Sequence, residues 1–317
     1  MSGKNFLDDT QRFIHATLSN QIAKLSPTLY SRLTKQTGRG FTPESPLQVA
    51  NYFLGCFNDY FETLGLPKHE IGSYLSGKHL LEYGPGDVPG VALLMIAHGA
   101  ERVTCVDRFS LLTLTQKNLE ILEELLGCLG NDARARAAQC FLQPGRPSSG
   151  FNPERIRYLI QPSGLSKLID EIDLIFSRAA LEHVNDLDAT FEDMASALKS
   201  DGIILHQVDL KSHGLHRRNP LDFLTWPTVL WRWMHSHKGV PNRWRINAYR
   251  DALRQSGFEE ILMTPIELVG QDVIDEIRPH LALPFKSLSN TDLSWLSFWL
   301  VCRKIGNSNL QAAKTET

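Results

Sequence analysis

The stretch LLEYGPGDVPG, from Leu80 to Gly90, decides how the rest of the chain is interpreted. It begins with apolar residues, continues through the acidic Glu82, and then places three glycines and two prolines within seven positions. The apolar run "HLLEY" before the glycines is typical of a buried strand, and "VALLMIAHG" after them is typical of a helix. Because glycine has no Cβ atom, the backbone at such a turn can bend tightly and approach a ligand closely. The stretch therefore predicts a binding loop for a nucleotide-like ligand.

Beyond this loop, short apolar runs alternate with amphipathic helical segments. The further predicted strands are "RVTCVD", "IRYLI", "IDLIFS", "GIILHQVDL", "EEILMTP" and "LSFWLVCRK". Such alternation predicts an α/β fold, in which helices cover both faces of a largely parallel sheet. Helical periodicity before the first strand predicts an N-terminal helical cap over residues 1–76. We assign 77–304 to the main domain, with a substrate-lid insertion at about 211–245, and 305–317 to a flexible tail.

The composition limits the class of protein. The chain has 317 residues, 42% of them hydrophobic, and a net charge of −2, which predicts a globular protein and gives no overall reason to expect nucleic acid. Its five cysteines are scattered and never form a Cys-x-x-Cys pair, so neither a disulfide framework nor a zinc ribbon is indicated. No stretch has the apolar length of a signal peptide or of a membrane span. We therefore predict a cytoplasmic protein without a bound metal.

Two carboxylates indicate what the glycine loop binds. Asp107 ends the second predicted strand, roughly twenty residues beyond the loop, where a carboxylate can bind both hydroxyls of a ribose. Dinucleotides and S-adenosylmethionine both fit this arrangement. Glu82, two residues before the first glycine, would repel a pyrophosphate but attract the ammonium group of a methionine moiety. The residues therefore favour S-adenosylmethionine over NAD or NADP.

In combination, these motifs resemble the class I S-adenosylmethionine-dependent methyltransferases, and within them the type 11-like group. The segments that carry the resemblance are "LEYGPGDVPG", "VTCVD", "IDLIFSRAALEHV" and "DGIILHQVDLKSH". The resemblance spans about residues 78–304 and implies a Rossmann-like, doubly wound, seven-stranded sheet with an antiparallel last strand. It also implies that "LEHV" opens the helix after the fourth strand. The residues that it assigns to the cofactor are Glu82, Gly84, Pro85, Gly86, Asp107, Arg108, Ser177 and Arg178.

The sequence departs from this pattern in two places. Val88 stands where the family usually has a third glycine, and Gly90 follows late, where it would serve the start of the helix more than the ligand. An acidic residue that would contact the adenine is missing after the third strand, where the chain offers Gln161 and Ser163 instead.

Three polar residues at the end of the fifth predicted strand are the candidate catalytic group. His206, Asp209 and His213 form a His-x-x-Asp-x-x-x-His pattern at the sheet edge where ligands bind in doubly wound folds. With the later "NRWR" and "YRDALRQSGF", the pattern resembles a bacterial subgroup found near polysaccharide and natural-product pathways. An imidazole oriented by a carboxylate can act as a general base, which a hydroxyl acceptor needs and an amine does not. The alternative for His206 is a hydrogen-bonded histidine inside the strand.

The segment from Lys211 to Arg254 is rich in basic and aromatic residues. It contains nine Lys or Arg against two Asp, and four of the six tryptophans of the chain. This composition favours a lid with stacking surfaces and positive charge for a saccharide or an anionic substrate. The same composition is also compatible with an RNA-binding or membrane-binding surface. In a third interpretation, the tryptophans belong to the core and the arginines are solvated.

Together these patterns predict a methyltransferase that uses S-adenosylmethionine to methylate an oxygen of a small molecule or saccharide. The N-terminal helices would form part of the substrate pocket. Three alternatives stay open: N-methylation of a small-molecule amine, an NAD(P)-dependent oxidoreductase, which Glu82 disfavours, and a non-catalytic protein that binds S-adenosylmethionine. Val88 is the only support for the last of these.

Overall fold

A computed structural model describes residues 3–26, 29–30, 33 and 38–305, with side chains from residue 9 onward. Its strands are β1 His79–Tyr83, β2 Arg102–Asp107, β3 Ile156–Ile160, β4 Ile172–Arg178, β5 Leu198–Asp209, β6 Phe258–Leu268 and β7 Trp295–Lys304. Its α-helices are α1 Gly3–Leu25, α2 Pro46–Thr63, α3 Ile71–Leu75, α4 Gly90–Ala97, α5 Gln116–Gly127, α6 Asn131–Ala138, α7 Leu187–Ala197, α8 Thr228–His235, α9 Ile246–Gln255, α10 Gln271–Ile277 and α11 Asn290–Ser294. The predicted tail lies outside the described residues from 306 onward.

The seven strands form one sheet in the order β3-β2-β1-β4-β5-β7-β6. Strands β1 to β5 pair in parallel, and β7 runs antiparallel to both β5 and β6. The predicted Rossmann-like sheet with an antiparallel last strand is therefore confirmed. After β3 the chain returns to the other side of β1 to form β4, so the direction of strand addition reverses between β1 and β4. Ligands bind at this reversal in doubly wound sheets, beyond the carboxyl ends of the strands.

Helix α2 of the predicted cap packs into the core of the main domain. Its start is set by Ser45, whose side chain accepts the N–H of Gln48 in a capping box. Phe53, Phe57 and Tyr60 on its inner face are buried in the same apolar cluster as α4, α5 and one face of the sheet. The opposite face of the sheet is covered by α7 and α9. Thus α2, within the predicted N-terminal cap, packs as a layer of the fold.

Part of the tryptophan-rich segment builds a third apolar core. Trp231 is buried with Phe223 and Phe285, while the exposed Trp233 packs against Phe13 of α1. The alternative interpretation, in which these tryptophans are structural, therefore fits Trp231, whereas Trp233 joins α8 to α1. The segment still contributes loops to the cavity described below.

Two arginines of the "NRWR" motif are buried instead of solvated. The guanidinium of Arg243 lies between the rings of Trp231 and Phe285, 4.9 Å from each ring centre. Arg245 is fully buried and donates hydrogen bonds to the backbone carbonyls of Leu210, Leu293 and Trp295. Removing either guanidinium would leave buried carbonyl groups without hydrogen-bond donors. Both arginines therefore stabilise the packing of segments that are distant in the sequence.

The helix after β4 begins later than the family resemblance implies. Leu181–His183 form a 3₁₀ turn, and α7 begins only at Leu187. The side chain of Asp186 accepts the N–H of Ala189, and this N-cap hydrogen bond sets the start of the helix. The expectation that "LEHV" opens the helix is wrong for this reason.

Two further expectations concern disulfide bonds and membrane-spanning helices. All five cysteines are free, as their scattered spacing predicted. Within the described ranges, none of the helices combines the length and apolar character that a bilayer crossing requires.

The contact between α2 and α4 can be tested with two glycine variants. A Cβ atom at Gly90 would lie 2.5 Å from the ring of Phe53, whereas one at Gly55 would meet nothing within 4 Å. Gly90→Ala should lower the free energy of unfolding by about 1–3 kcal/mol because of overpacking. Gly55→Ala, the matched control in a helix, should raise it by about 0.5–1 kcal/mol. Urea denaturation measures both, and equal effects would contradict the close packing of α2 on α4.

Candidate active site

A cavity of about 640 Å³ lies beyond the carboxyl ends of β1, β2 and β4. This volume is typical of a small-molecule site. The residues that line it from the sheet edge are Glu82, Tyr83, Gly84, Pro85, Gly86, Asp107, Arg108, Phe109, Arg178, Ala179, Ala180 and His183. Those that close it from elsewhere include Arg39, Tyr52, Phe53 and Cys56 of the N-terminal region and His213, Leu215, Gly239, Val240 and Pro241 of the insertion.

The glycine loop has the backbone shape that its composition predicts. Gly84 and Gly86 have φ angles of 66° and 73°, in the left-handed region that favours glycine. A Cβ atom on Gly84 would also lie 2.9 Å from the Cβ atom of Ala180 in the loop after β4. Gly84 therefore allows the loops after β1 and β4 to approach each other, and it also leaves space beside the cavity. Gly90 lies at the start of α4 against Phe53 and does not line the cavity.

Glu82 is a buried carboxylate at the wall of the cavity. Its exposed fraction is 7%, and its Oε2 atom accepts a hydrogen bond from the Sγ of Cys105 at 3.7 Å. Burial raises the pKa of Glu82 to about 8, against the lowering effect of Cys105 and of the Ala92 backbone N–H. Among the described side chains, none forms a salt bridge with it. A ligand ammonium group would supply the missing positive charge.

Asp107 lies at the end of β2 on the other side of the glycine loop. Its Oδ1 atom accepts the N–H of Phe109 at 3.3 Å. Burial raises its pKa to about 6, although nearby backbone N–H groups, including that of Gly86, lower it. A carboxylate in this position can accept hydrogen bonds from two ribose hydroxyls.

Two of the predicted cofactor residues have other partners. Ser177 is fully buried, with its Oγ 2.7 Å from Nδ1 of His206, and does not line the cavity. Arg108 lines the cavity, but its Nη1 donates to the His183 carbonyl and to Oδ1 of Asn185. After β3, where the acidic residue expected to contact adenine is missing, the sequence offered Gln161 and Ser163. The cavity is lined there by other residues, Gly164, Phe109 and Leu111.

The structure separates the predicted catalytic residues. His206 is fully buried inside β5, and burial lowers its pKa to about 3; it therefore occupies the hydrogen-bonded strand position that was the alternative interpretation. His213 lines the cavity, and its Nε2 lies 3.5 Å from Oδ2 of Asp209. With a φ of 48°, His213 adopts a strained conformation of the kind that clusters at functional sites.

Glu182 and His183 join this group, although the sequence assigned them no chemical role. His183 lines the cavity, its ring lies 5.2 Å from that of His213, and burial lowers its pKa to about 4. Glu182 is fully buried, and burial raises its pKa well above the ordinary value. The side chain and backbone of Asn242, from "NRWR", donate to the carbonyls of Leu181 and Glu182 and hold this turn in place. Both motifs, "LEHV" and "NRWR", were recognised in the sequence. Their contact could not be predicted from it, because the two motifs come together only in the tertiary structure.

The N-terminal region supplies the remaining wall, as expected for part of a pocket. Tyr52 and Cys56 of α2 line the cavity beside Arg39 and Arg178. The Arg39 guanidinium stacks 3.8 Å from the centre of the Tyr52 ring, and Arg178 forms a 2.7 Å ion pair with Asp59. Positive charge at the cavity thus comes from these arginines and from Arg108, rather than from the insertion.

The family of the chain follows from its sequence between residues 60 and 262. This region, more than half of the chain, matches the family described as a methyltransferase domain. The chain belongs to this family. The prediction of a class I methyltransferase that uses S-adenosylmethionine is confirmed, and the enzyme class excludes the oxidoreductase alternative.

Several solved structures are similar to this chain at low sequence identity. An S-adenosylmethionine-dependent methyltransferase from Mesorhizobium loti is 16% identical, with 73% of this chain and 92% of that chain covered and a TM-score of 0.40. One from Methanosarcina mazei is 15% identical, with coverages of 75% and 97% and a TM-score of 0.43. Phosphoethanolamine N-methyltransferase 2 from Haemonchus contortus is 14% identical, with coverages of 79% and 52% and a TM-score of 0.44. No curated protein matches the sequence. Similarities of this size carry no information on the acceptor.

The residues of the cavity fit S-adenosylmethionine. The methyltransferase has an uncompensated buried carboxylate, Glu82, where a ligand ammonium is expected, and a second carboxylate, Asp107, where ribose hydroxyls are expected. Two left-handed glycines lie between them and keep the loop free of side chains. We propose that Glu82 binds the methionine end and that Asp107 binds the ribose, and each role gives a separate prediction.

The Asp107 assignment predicts a loss of affinity for S-adenosylhomocysteine. Asp107→Ala should weaken binding by about 1.5–3 kcal/mol, because hydrogen bonds to a charged group are lost. Calorimetric titration measures the change, and the exposed Asp201 supplies the control variant Asp201→Ala, which should bind like the wild type. Unchanged affinity in Asp107→Ala would remove the ribose assignment.

The Glu82 assignment predicts that binding depends on pH. In the free protein Glu82 has a pKa of about 8 and is largely protonated at pH 7, whereas an ammonium partner favours its ionised form. Binding then releases a proton, so affinity for S-adenosylhomocysteine should rise from pH 6 to pH 8 and then level off. Titrations in buffers of different ionisation enthalpy measure the released proton. Glu82→Gln should bind more weakly and lose the rise above pH 7, and a wild-type affinity that is constant from pH 7 to 8 would refute the assignment.

Proposed function

We propose that this methyltransferase methylates a hydroxyl oxygen of a small molecule or a saccharide. The observation that carries the proposal is the position of His213, which lines the same cavity as the glycine loop and lies beside Asp209. A hydroxyl acceptor benefits from a general base such as this imidazole. An amine acceptor does not need one, because it can lose its proton before it binds.

The chemistry requires alignment first and proton acceptance second. S-adenosylmethionine, when bound, supplies an activated methyl carbon on its sulfonium. Holding the acceptor oxygen in line with that carbon accounts for a large part of the acceleration, because orientation replaces a bimolecular encounter. A saccharide hydroxyl is weakly acidic, so a base within hydrogen-bond reach adds to the rate.

Asp209 prepares His213 for this role. The carboxylate near Nε2 favours the tautomer with its proton on that nitrogen, so Nδ1 keeps a lone pair. In the proposed reaction Nδ1 accepts the hydroxyl proton, the acceptor oxygen bonds to the methyl carbon, and the carbon–sulfur bond breaks. The resulting imidazolium is stabilised by Asp209.

The wall of the cavity formed by the N-terminal region supports a proposal for the class of acceptor. Tyr52 offers an aromatic ring of the kind on which sugars and planar molecules pack. Arg39 and Arg178 place positive charge at this ring, although each is also paired with an acidic side chain, Glu44 and Asp59 respectively. We therefore propose an acceptor that carries a negative group, such as a uronic acid or a phosphorylated sugar.

The proposal predicts a selective loss of turnover in a histidine variant. His213→Ala should reduce turnover by about 10²–10⁴-fold, with S-adenosylhomocysteine affinity nearly unchanged, because His213 acts on the acceptor. Release of S-adenosylhomocysteine is measured over a panel of anionic saccharides, phenols and matched amines. The exposed His69 supplies the control His69→Ala, which should keep full activity.

Two results would contradict the proposal. Wild-type turnover in His213→Ala would show that alignment alone suffices, and turnover of the amines but not of their hydroxyl counterparts would assign N-methylation.

A further inference from the structure

Glu182 presents an unusual electrostatic problem beside the cavity. Its side chain is fully buried, and neither carboxylate oxygen has a hydrogen-bond partner. The backbone N–H groups of Glu182 and Asp209 influence the carboxylate, but neither makes a hydrogen bond of standard geometry to it. Nε2 of His183 lies 4.0 Å from Oε1 of Glu182, beyond hydrogen-bond reach. A buried carboxylate without a hydrogen-bond partner is costly, whereas a bound cation would stabilise it.

Two imidazoles complete a group that can bind such a cation. One ligand atom each from Glu182, His183 and His213 lie within 4.8 Å of one another. Nδ1 of His183 is buried and has no hydrogen-bond partner. Because Asp209 favours a proton on Nε2 of His213, the Nδ1 lone pair remains for a metal, an arrangement in which a carboxylate orients a metal-binding histidine.

We propose that Glu182, His183 and His213 bind one first-row transition-metal dication. This inference rests on the proposed function, since His183 and His213 open on the methyl-transfer cavity. Two imidazoles and one carboxylate suit Zn²⁺, Mn²⁺, Fe²⁺ or Co²⁺ better than Mg²⁺ or Ca²⁺, which prefer oxygen ligands throughout.

The metal would change how the hydroxyl acceptor is activated. A dication lowers the pKa of an oxygen bound to it, so the acceptor proton leaves to water rather than to His213. The acceptor oxygen then bonds to the methyl carbon as the carbon–sulfur bond breaks. In the loaded protein His213 positions the acceptor through the metal.

The charges around the group favour a cation. Asp209 adds a second carboxylate next to His213. Arg108, which donates to the His183 carbonyl, opposes the cation. Lys211 lies 3.6 Å from Oδ2 of Asp209 and offsets part of its charge, but it is shared with Glu267 at 3.0 Å. The competing explanation is a neutral, protonated Glu182 near Tyr249, whose buried hydroxyl interacts electrostatically with Glu182 and with the Asn242 side chain.

Metal titration of the full chain, without an affinity tag and after chelator treatment, tests the inference. Zn²⁺ calorimetry should give one bound ion, and Co²⁺ should give a visible absorption band. Glu182→Gln, His183→Ala and His213→Ala should each lower the affinity about tenfold or more, and Asp209→Asn by about 10–100-fold. His69→Ala should match the wild type, because His69 lies on the surface.

Results that would overturn the metal site can be distinguished from results that would contradict the proposed function. No Zn²⁺ binding in the wild type, or unchanged affinity when all three ligands are replaced, would overturn the metal site. If the histidine variants unfold, Glu182→Gln can still be tested, because it keeps the shape of the side chain. An unchanged Zn²⁺ affinity in Glu182→Gln would overturn the inference equally. S-adenosylhomocysteine binding is measured in the same samples: normal binding without metal leaves the proposed function intact, whereas loss of this binding in the wild type would contradict the proposed function alone.

Discussion

The close approach of the loops after β1 and β4 is the constraint on which the site depends. Gly84 adopts a left-handed conformation, and a side chain there would collide with Ala180. This approach occurs where strand addition reverses, so the carboxyl ends of two adjacent parallel strands open on one space. Glu82 and Asp107 border that space on the β1 side, and Arg178 and His183 border it on the β4 side.

The same physical problem occurs at both ends of the site. Glu82 and Glu182 are carboxylates that burial would drive towards their neutral forms. In the interior, an isolated charge is stable only when a partner replaces the lost water. A ligand ammonium would provide this partner for Glu82, and a metal would provide it for Glu182. Both residues would therefore become ionised when their ligand binds.

The "NRWR" motif shows why a resemblance between sequences does not reveal a residue's role. Asn242 holds the turn that carries Glu182, while Arg245 binds the carbonyl of Leu210 just after β5. These contacts tie the loops after β4 and β5 together, which is the geometry that brings His183 to His213. A basic, tryptophan-rich composition is consistent with a lid, but tertiary burial converts much of it into core.

The sequence by itself determined the strand and helix pattern, the glycine loop, Glu82 and Asp107, because each depends on local periodicity or on short spacing along one βαβ unit. It could not separate His206 from His213. Both belong to one His-x-x-Asp-x-x-x-His pattern, but His206 lies inside β5 and His213 in the loop after it. The register of β5 between β4 and β7 points His206 into the protein interior against Ser177. Only the tertiary structure brought Glu182, His183 and His213 together and placed Tyr52 and Arg39 at the cavity. Those contacts join segments far apart in the chain, and their geometry depends on how the loops and α2 pack on the sheet.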